Sequence, residues 1–381
     1  MNLSAACTFE TLTSPEAFEG LAAEWDVLVR AMPRPSPFLL HTWLVEWWRH
    51  FGSGARLAVV IARRDGRLVG GVPLFVRRRG GARVARFLGG HESALADLLL
   101  DASEPESTAR GLIDQLRGES FDYADLFGVP IASRLAAATS GELSFFERVE
   151  SPVLVMPDGW DAAYAAKTSS KRRALHLRRL RQLRALGDCE FVVGRTQEEL
   201  EPLLEEAFRL HALRWRGRPD ASTFGTKSGQ AFHRAALRRF GDEGVMQIVM
   251  LRVAGRSVAF DHTFTLGETL LLHRLGFDPS YSQYSPGLVT TLETLRGASA
   301  NGVTRVEFLG GGERYKFELA DRQEPLYQAI GFVRNPLGAL AARQRLELIR
   351  LRKALKRNER IQRIYLNGFN ALRRSKRRGR G

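Results

Sequence analysis

The chain has 381 residues, is 44% hydrophobic and 26% charged, and carries a formal net charge of +15 at pH 7. That length predicts two domains, each able to bury its own core, and the balance excludes a disordered or fibrous chain. No run of eighteen apolar residues occurs and no basic-then-apolar leader opens the sequence, so a cytoplasmic protein without a spanning helix is expected.

Pro15 to Ala31 has helical spacing (Phe18, Leu21, Trp25, Leu28) behind Ser14 as its cap, and His41 to Phe51 is a second helix with Trp43, Leu44, Trp47 and Trp48. That aromatic stripe reads as core or groove wall. Leu57–Arg63 and Leu68–Arg77 form a hairpin across Asp65-Gly66. Val84–Leu88 and Ala96–Leu100 read as short strands, Ala109–Arg117 as a helix and Tyr123–Phe127 as a strand, which closes a first half near Glu150. The Ser151–Asp158 strand opens the second half, ahead of a basic helix over Tyr164–Leu186 and a strand over Glu190–Val193. Helices over Glu198–Trp215 and Ala231–Phe240 precede a second hairpin, Val245–Val253 and Ser257–Leu266, across Ala254-Gly255-Arg256. Both halves run helices, Gly-turn hairpin, further strands and helix, so the fold class is α+β by duplication. The expected division is 1–150, 151–335 and a helical tail over 336–381.

The chemistry-bearing stretch is Leu270–Lys316. Leu270–Phe277 is a strand ending at Asp278-Pro279. Ser285-Pro286-Gly287 then starts a helix carrying Leu288, Leu292 and Leu295, and Val303–Leu309 is the next strand. A helix start with free N–H groups beside a glycine suits a phosphate or pyrophosphate, and Ser285, Gly287 and Leu288 are the candidate contacts. The alternative is a plain crossover with a Pro-Gly start.

Charge is concentrated in two places. Lys167–Arg184 holds eight Lys and Arg and no acid, while Arg350 to the end holds thirteen against one acid, Glu359. The tail stripe of Leu348, Leu351, Leu355, Ile361, Ile364, Tyr365, Phe369 and Leu372 reads as a basic amphipathic helix, suited to an anionic membrane surface or to docking on its own protein. Nucleic acid is an unfavoured partner, because the tail lacks interleaved aromatics and no helix-turn-helix or zinc pattern occurs. Cys7 and Cys189 have neither metal spacing nor a nucleophile motif, so no metal is expected.

Several motifs together resemble a known family. Ser169-Ser170-Lys171-Arg172-Arg173, His211-Ala212-Leu213-Arg214-Trp215, Gly276-Phe277-Asp278-Pro279, Ser285-Pro286-Gly287, Glu307-Phe308-Leu309-Gly310 and Glu313-Arg314-Tyr315-Lys316 resemble the GNAT-superfamily acetyltransferase domain of the CelD/BcsL type, linked to cellulose and exopolysaccharide biosynthesis. The resemblance covers roughly Tyr164–Ala320 and is weaker over Thr8–Val129. It implies two tandem GNAT-like domains, as in Fem-type transferases, and acetyl transfer from acetyl-CoA to an amine or hydroxyl of a small-molecule or sugar acceptor. A Fem-like use of aminoacyl-tRNA and a non-catalytic basic protein are the alternatives. One departure is that Gln283-Tyr284-Ser285-Pro286-Gly287-Leu288 stands where the family has a loop with more glycines, and Pro286 removes one N–H.

Direct acyl transfer needs a proton acceptor and donors aimed at the developing oxyanion. Asp261 and His262 lie in the apolar strand VAFDHTF, His273 in LLHRLGF and Glu307 in VTRVEFL. Asp261 or Glu307 is the expected base, with His273 lining the acceptor pocket. Trp215, Tyr315 and Lys316 are the expected substrate contacts, the last two placed after the Gly310–Gly312 turn.

Overall fold

A computed structural model describes residues 6–139, 141–216, 222–241 and 243–357. The first half begins with β1 (Thr8–Leu12), α1 (Pro15–Glu19) and α2 (Ala22–Arg30). The periodicity predicts one helix here, but Gly20 and Leu21 break it into two. Next come α3 (His41–Phe51), β2 (Ala55–Arg64) and β3 (Arg67–Arg79). The expected hairpin forms because Asp65 (φ 51°) and Gly66 (φ 76°) both take the left-handed conformation of a type I′ turn. β4 (Ala82–Phe87), β5 (Leu99–Leu100), α4 (Glu106–Gly118), β6 (Tyr123–Pro130), α5 (Arg134–Ala138) and β7 (Leu143–Val149) follow.

The second half starts with β8 (Pro152–Val155), α6 (Gly159–Lys167) and α7 (Ser170–Arg184). The single helix expected over Tyr164–Leu186 is therefore two. Ser169 leaves the helical conformation, and its side chain accepts from the Arg172 amide at 3.2 Å, which starts α7 afresh. β9 (Cys189–Gly194), α8 (Gln197–Arg214), α9 (Lys227–Phe240), β10 (Met246–Val253), β11 (Arg256–Leu266) and β12 (Thr269–Phe277) come next. Then come α10 (Pro286–Ala300), β13 (Arg305–Glu307), α11 (Arg314–Leu319), β14 (Arg322–Gln323), β15 (Leu326–Gly331) and α12 (Pro336–Arg357). Tail residues expected to be helical beyond Arg357 lie outside the described residues.

The strands form two sheets. The first runs β1-β2-β3-β4-β6-β15-β7 and the second β14-β8-β13-β12-β11-β10-β9. Each contains one parallel pair, β4 with β6 and β12 with β13. The sheets do not divide where the sequence predicts: β15, within the expected 151–335 domain, pairs with β6 and β7 of the first sheet. The second half therefore donates a strand to the first, and the halves are joined by backbone hydrogen bonds as well as side chains.

Side chains close the same seam. Phe38 and Trp43 of the first half meet Phe264 and His273 edge-on at 5.2–5.7 Å. Arg34 makes a two-pronged ion pair with Glu307 at 2.7 and 2.6 Å. α12 lays Ala342, Arg345 and Ile349 on the first sheet, where Arg345 bonds the buried Asp125 at 3.0 Å. The helix thus docks on its own protein through one face.

Candidate active site

β12 has nine residues, but only Thr269, Leu270 and Leu271 pair with β13. β13 ends at Glu307, so among the described residues β12 has no strand partner on that side from Leu272 onward, an unpaired edge or wedge. His273 sits at the mouth of this wedge as a bulge, since His262 pairs with Arg274 and Thr263 with Leu272, which leaves His273 unmatched. The first half has a comparable divergence after two β4–β6 pairs, Val84–Tyr123 and Ala85–Ala124. There the chain fills its own gap: the Ala96 amide donates to Gly128 at 3.0 Å, and a Cβ on Gly128 would lie 2.6 Å from the Ala94 carbonyl. Among the described residues no backbone contact of this kind is made beside Leu272–Phe277 of the second half, where Phe38 and Trp43 pack on His273 instead.

The start of α10 stands next to that wedge. Ser285 is left-handed (φ 51°) and its side chain makes no capping bond. Pro286 has no N–H to give, so the amides of Gly287 and Leu288 are the uncapped donors of the first turn. A Cβ on Gly287 would meet only the Phe277 ring, at 3.4 Å, so glycine is not needed there for the fold. Leu288 also lines a pocket of about 230 Å³ with Lys167, Ser169, Arg172, His176 and Tyr315. An uncapped helix start, two cations (Lys167 paired with Asp321 at 2.5 Å and Arg172 with the pocket-lining Glu318 at 2.8 Å) and a small pocket at one spot suit a phosphorylated thioester donor that would exchange for those carboxylates. The residues present therefore fit acyl-CoA, the co-substrate that the fold implies.

Behind the pocket, Asp261 is fully buried on the face of β11 that packs on α10. Thr294 donates to its Oδ2 at 3.1 Å, and its Oδ1 has no partner. Burial drives its pKa up to about 7; the nearby Thr291 and Thr294 hydroxyls, then the Lys316 charge, oppose the rise. Thr291 also meets the Tyr315 hydroxyl at 3.3 Å. Burial, followed by the nearby Asp261 carboxylate, pushes the Tyr315 phenol well above its ordinary value, so it stays a hydroxyl. Thr291 and Tyr315 thus stand between the surroundings of a buried carboxyl and the pocket wall. The second-half threonines went unread in the sequence, although two threonines a turn apart on a helix otherwise buried by apolar residues were the available signal.

The other expected residues do not converge here. Glu307 is fully buried, but Arg34 and Arg305 occupy its carboxylate, the latter at 3.0 Å. A carboxylate between two guanidiniums is a joint between the halves. Lys316 is 2% exposed; its Nζ bonds the carbonyls of Gly310 (2.9 Å) and Phe308 (3.4 Å) and pairs with Glu313, so it pins the glycine turn and does not reach into the pocket. Trp215 ends α8, half-buried, against His211 at 5.9 Å.

His273 projects to the opposite side of the sheet from Asp261. It lies 5.4 Å from His262 and 5.6 Å from His233. No ring nitrogen of His262 or His273 has a partner, and burial first, then neighbouring positive groups, lowers both pKa values well below normal. Glu92 of the first half bonds His233 at 3.2 Å and Arg274 at 3.0 Å. Burial alone would raise the Glu92 pKa, but His233 and Arg274 hold it at about 2. Among the described residues no group of His, Cys, Asp and Glu has a metal-holding geometry.

Residues 170–317 match the acetyltransferase (GNAT) domain family. No curated protein matches the chain. Among solved structures, FemX is 11% identical, covers 88% of this chain and 100% of its own, and superposes with a TM-score of 0.60. A conserved protein of unknown function from Bacteroides thetaiotaomicron is 15% identical over 86% of this chain and all of its own, with a TM-score of 0.52. A tandem GNAT protein from the clavulanic acid biosynthesis pathway is 14% identical over 85% of this chain and 98% of its own, at 0.48. The fold is that of a mixed α+β protein with two sheets, its residues 170–317 match the GNAT acetyltransferase domain, and the enzyme class that goes with that domain is acyltransferase.

Proposed function

We propose that the protein transfers an acetyl group from acetyl-CoA to an amine or hydroxyl on an acceptor that enters between the two halves. The observation that carries this reading is the pocket shared by Lys167, Arg172, the uncapped start of α10 and Tyr315. Lys167, Arg172 and the amides of Gly287 and Leu288 would hold the phosphates, and the diverging edge of β12 would accept the extended pantetheine arm. Bound acetyl-CoA supplies the acetyl group as a thioester. Tyr315 is the group placed to give its hydroxyl proton to the departing sulfur. The acceptor's nitrogen or oxygen bonds the acetyl carbon as the C–S bond breaks. Asp261, half protonated near neutral pH, resupplies Tyr315 through Thr291 and is itself reprotonated by the proton that the acceptor N–H or O–H gives up. In this role Asp261 is a proton reserve behind Tyr315. His273, on the far side of the sheet with Glu92 and Arg274, belongs to the acceptor side. A polysaccharide-related acceptor rests on the sequence resemblance alone.

Calorimetry with acetyl-CoA tests the reading. Wild type is expected to bind, and Gly287→Val to weaken binding by about tenfold or more, because a branched side chain blocks close approach of phosphate to the helix start. A Cβ there meets the Phe277 ring at 3.4 Å, and thermal unfolding of the variant checks that the two γ methyls are also accommodated. Absence of wild-type binding overturns the proposal; binding of aminoacyl-tRNA in its place would support the Fem-like alternative.

A further inference from the structure

α12 presents two apolar faces, and only one is covered. Ala342, Arg345 and Ile349 are buried against the first sheet. Leu337, Leu340, Leu348 and Leu351 are 47–56% exposed. At helical spacing these four positions fall within an arc of about 80°, well away from the docked face. The row runs along one side of the helix, with exposed Gln344 between Leu340 and Leu348 and Glu347 at its edge. Exposed Arg343 and Arg350 flank it on one side; Arg350 is paired with Glu347 at 2.7 Å. The sequence from Arg352 onward adds twelve further Lys and Arg against the single acid Glu359.

We infer that this stripe is a docking surface for an anionic phospholipid membrane, with the leucines entering the interface and the basic residues contacting headgroups. Charge complementarity identifies the occupant. A leucine row beside a strongly cationic segment matches a surface that is apolar beneath and negative on top. An acidic protein would match the charge, but exposed leucines on a helix face beside basic residues suit insertion between lipid headgroups. A nucleic acid would match the charge and leave the leucines unused. No helix among the described residues is long and apolar enough to cross a membrane, so the contact would be peripheral. Because α12 packs on the first sheet through Arg345 and Asp125, docking holds the first half against the bilayer and leaves the wedge of the second half unobstructed by this helix.

The test is co-sedimentation of the full chain with vesicles of phosphatidylcholine, with and without roughly one third phosphatidylglycerol. Wild type is expected to favour the anionic vesicles by at least about tenfold, less so at high salt. The double variant Leu340→Ser/Leu348→Ser is expected to lose about tenfold or more of that partition, with thermal unfolding and acetyl-CoA binding unchanged, since both side chains are half in solvent. Equal partition onto both vesicle types overturns the inference. So does a serine variant that binds anionic vesicles as well as wild type does, which would reduce the contact to charge alone. Short duplex DNA that displaces the vesicles and binds wild type and serine variant equally would assign the basic tail to nucleic acid instead.

Discussion

The buried Asp261 makes a prediction that links stability to the proposed proton reserve. In the unfolded chain its carboxyl titrates near 3.8, and in the fold near 7. Between those values the unfolded chain is ionised and the folded protein is protonated, so the fold holds the extra proton and loses stability as pH rises. The cost begins near pH 4 and is complete just above pH 7. Three pKa units correspond to about 4 kcal/mol, an upper figure for a group whose environment relaxes on ionisation. Asp261→Asn removes the titration. The Thr294 hydroxyl, already 3.0 Å from the Thr290 carbonyl, can turn to it and accept from the new amide. Urea unfolding of both proteins is therefore expected to give nearly equal stabilities at about pH 4. The variant should then be the more stable by about 2–4 kcal/mol at about pH 8, while turnover falls. A stability difference that stays constant from acid to mildly alkaline pH would show that Asp261 does not titrate near neutrality, and the proton reserve would go with it.

Tyr315→Phe is expected to lower kcat by about 100-fold with acetyl-CoA affinity unchanged, measured by thiol release and calorimetry; a change in KM alone would remove the hydroxyl from the chemistry. Arg34→Ala is expected to cost about 2–3 kcal/mol in urea unfolding, less than a fully orphaned buried charge because Arg305 still contacts Glu307. Arg30→Ala, which breaks an exposed pair with Glu243 at 3.5 Å, should cost under about 0.5 kcal/mol in the same assay. Equal costs would mean that the seam ion pair does not join the halves.

Local chemistry in this chain was readable and long-range pairing was not. Asp65-Gly66 and Ala254-Gly255 fix two hairpins because left-handed turn residues need no tertiary help. Pro286 marks the start of α10 for the same kind of reason. The break at Thr168-Ser169 was written in the serine cap, but the continuous basic run masked it. Glu307 looked like a base because its strand neighbours are apolar; its partner Arg34 lies 273 residues earlier, a separation no periodicity reveals. Asp261 was found by the same rule and does keep a free oxygen. A polar residue in an apolar strand therefore reports burial, while the identity of its partner decides whether it is a joint or a site. His273 was placed correctly on the central strand, but the bulge that turns it to the far side depends on register with β11.

The strand exchange carries the strongest consequence for how this protein works as a unit. A fragment of residues 151–335 contains the whole GNAT match, and by sequence it reads as a free-standing domain. In the structure it would leave β15 with no sheet, because both neighbours of that strand belong to the first half. It would also strip Arg34 from a fully buried Glu307 and expose Phe264 and His273, which pack under Phe38 and Trp43. Each unpaired buried group costs about 1–3 kcal/mol, and the orphaned carboxylate more, against a total stability of about 5–15 kcal/mol for a domain. The fragment is therefore expected to lack a cooperative thermal transition and to be cut rapidly by protease, while the full chain melts as one unit. A fragment that melts cooperatively and binds acetyl-CoA would show that the wedge is built by the second half alone. The first half would then be an acceptor wall added to a complete enzyme, and not part of what holds the acyl site in shape.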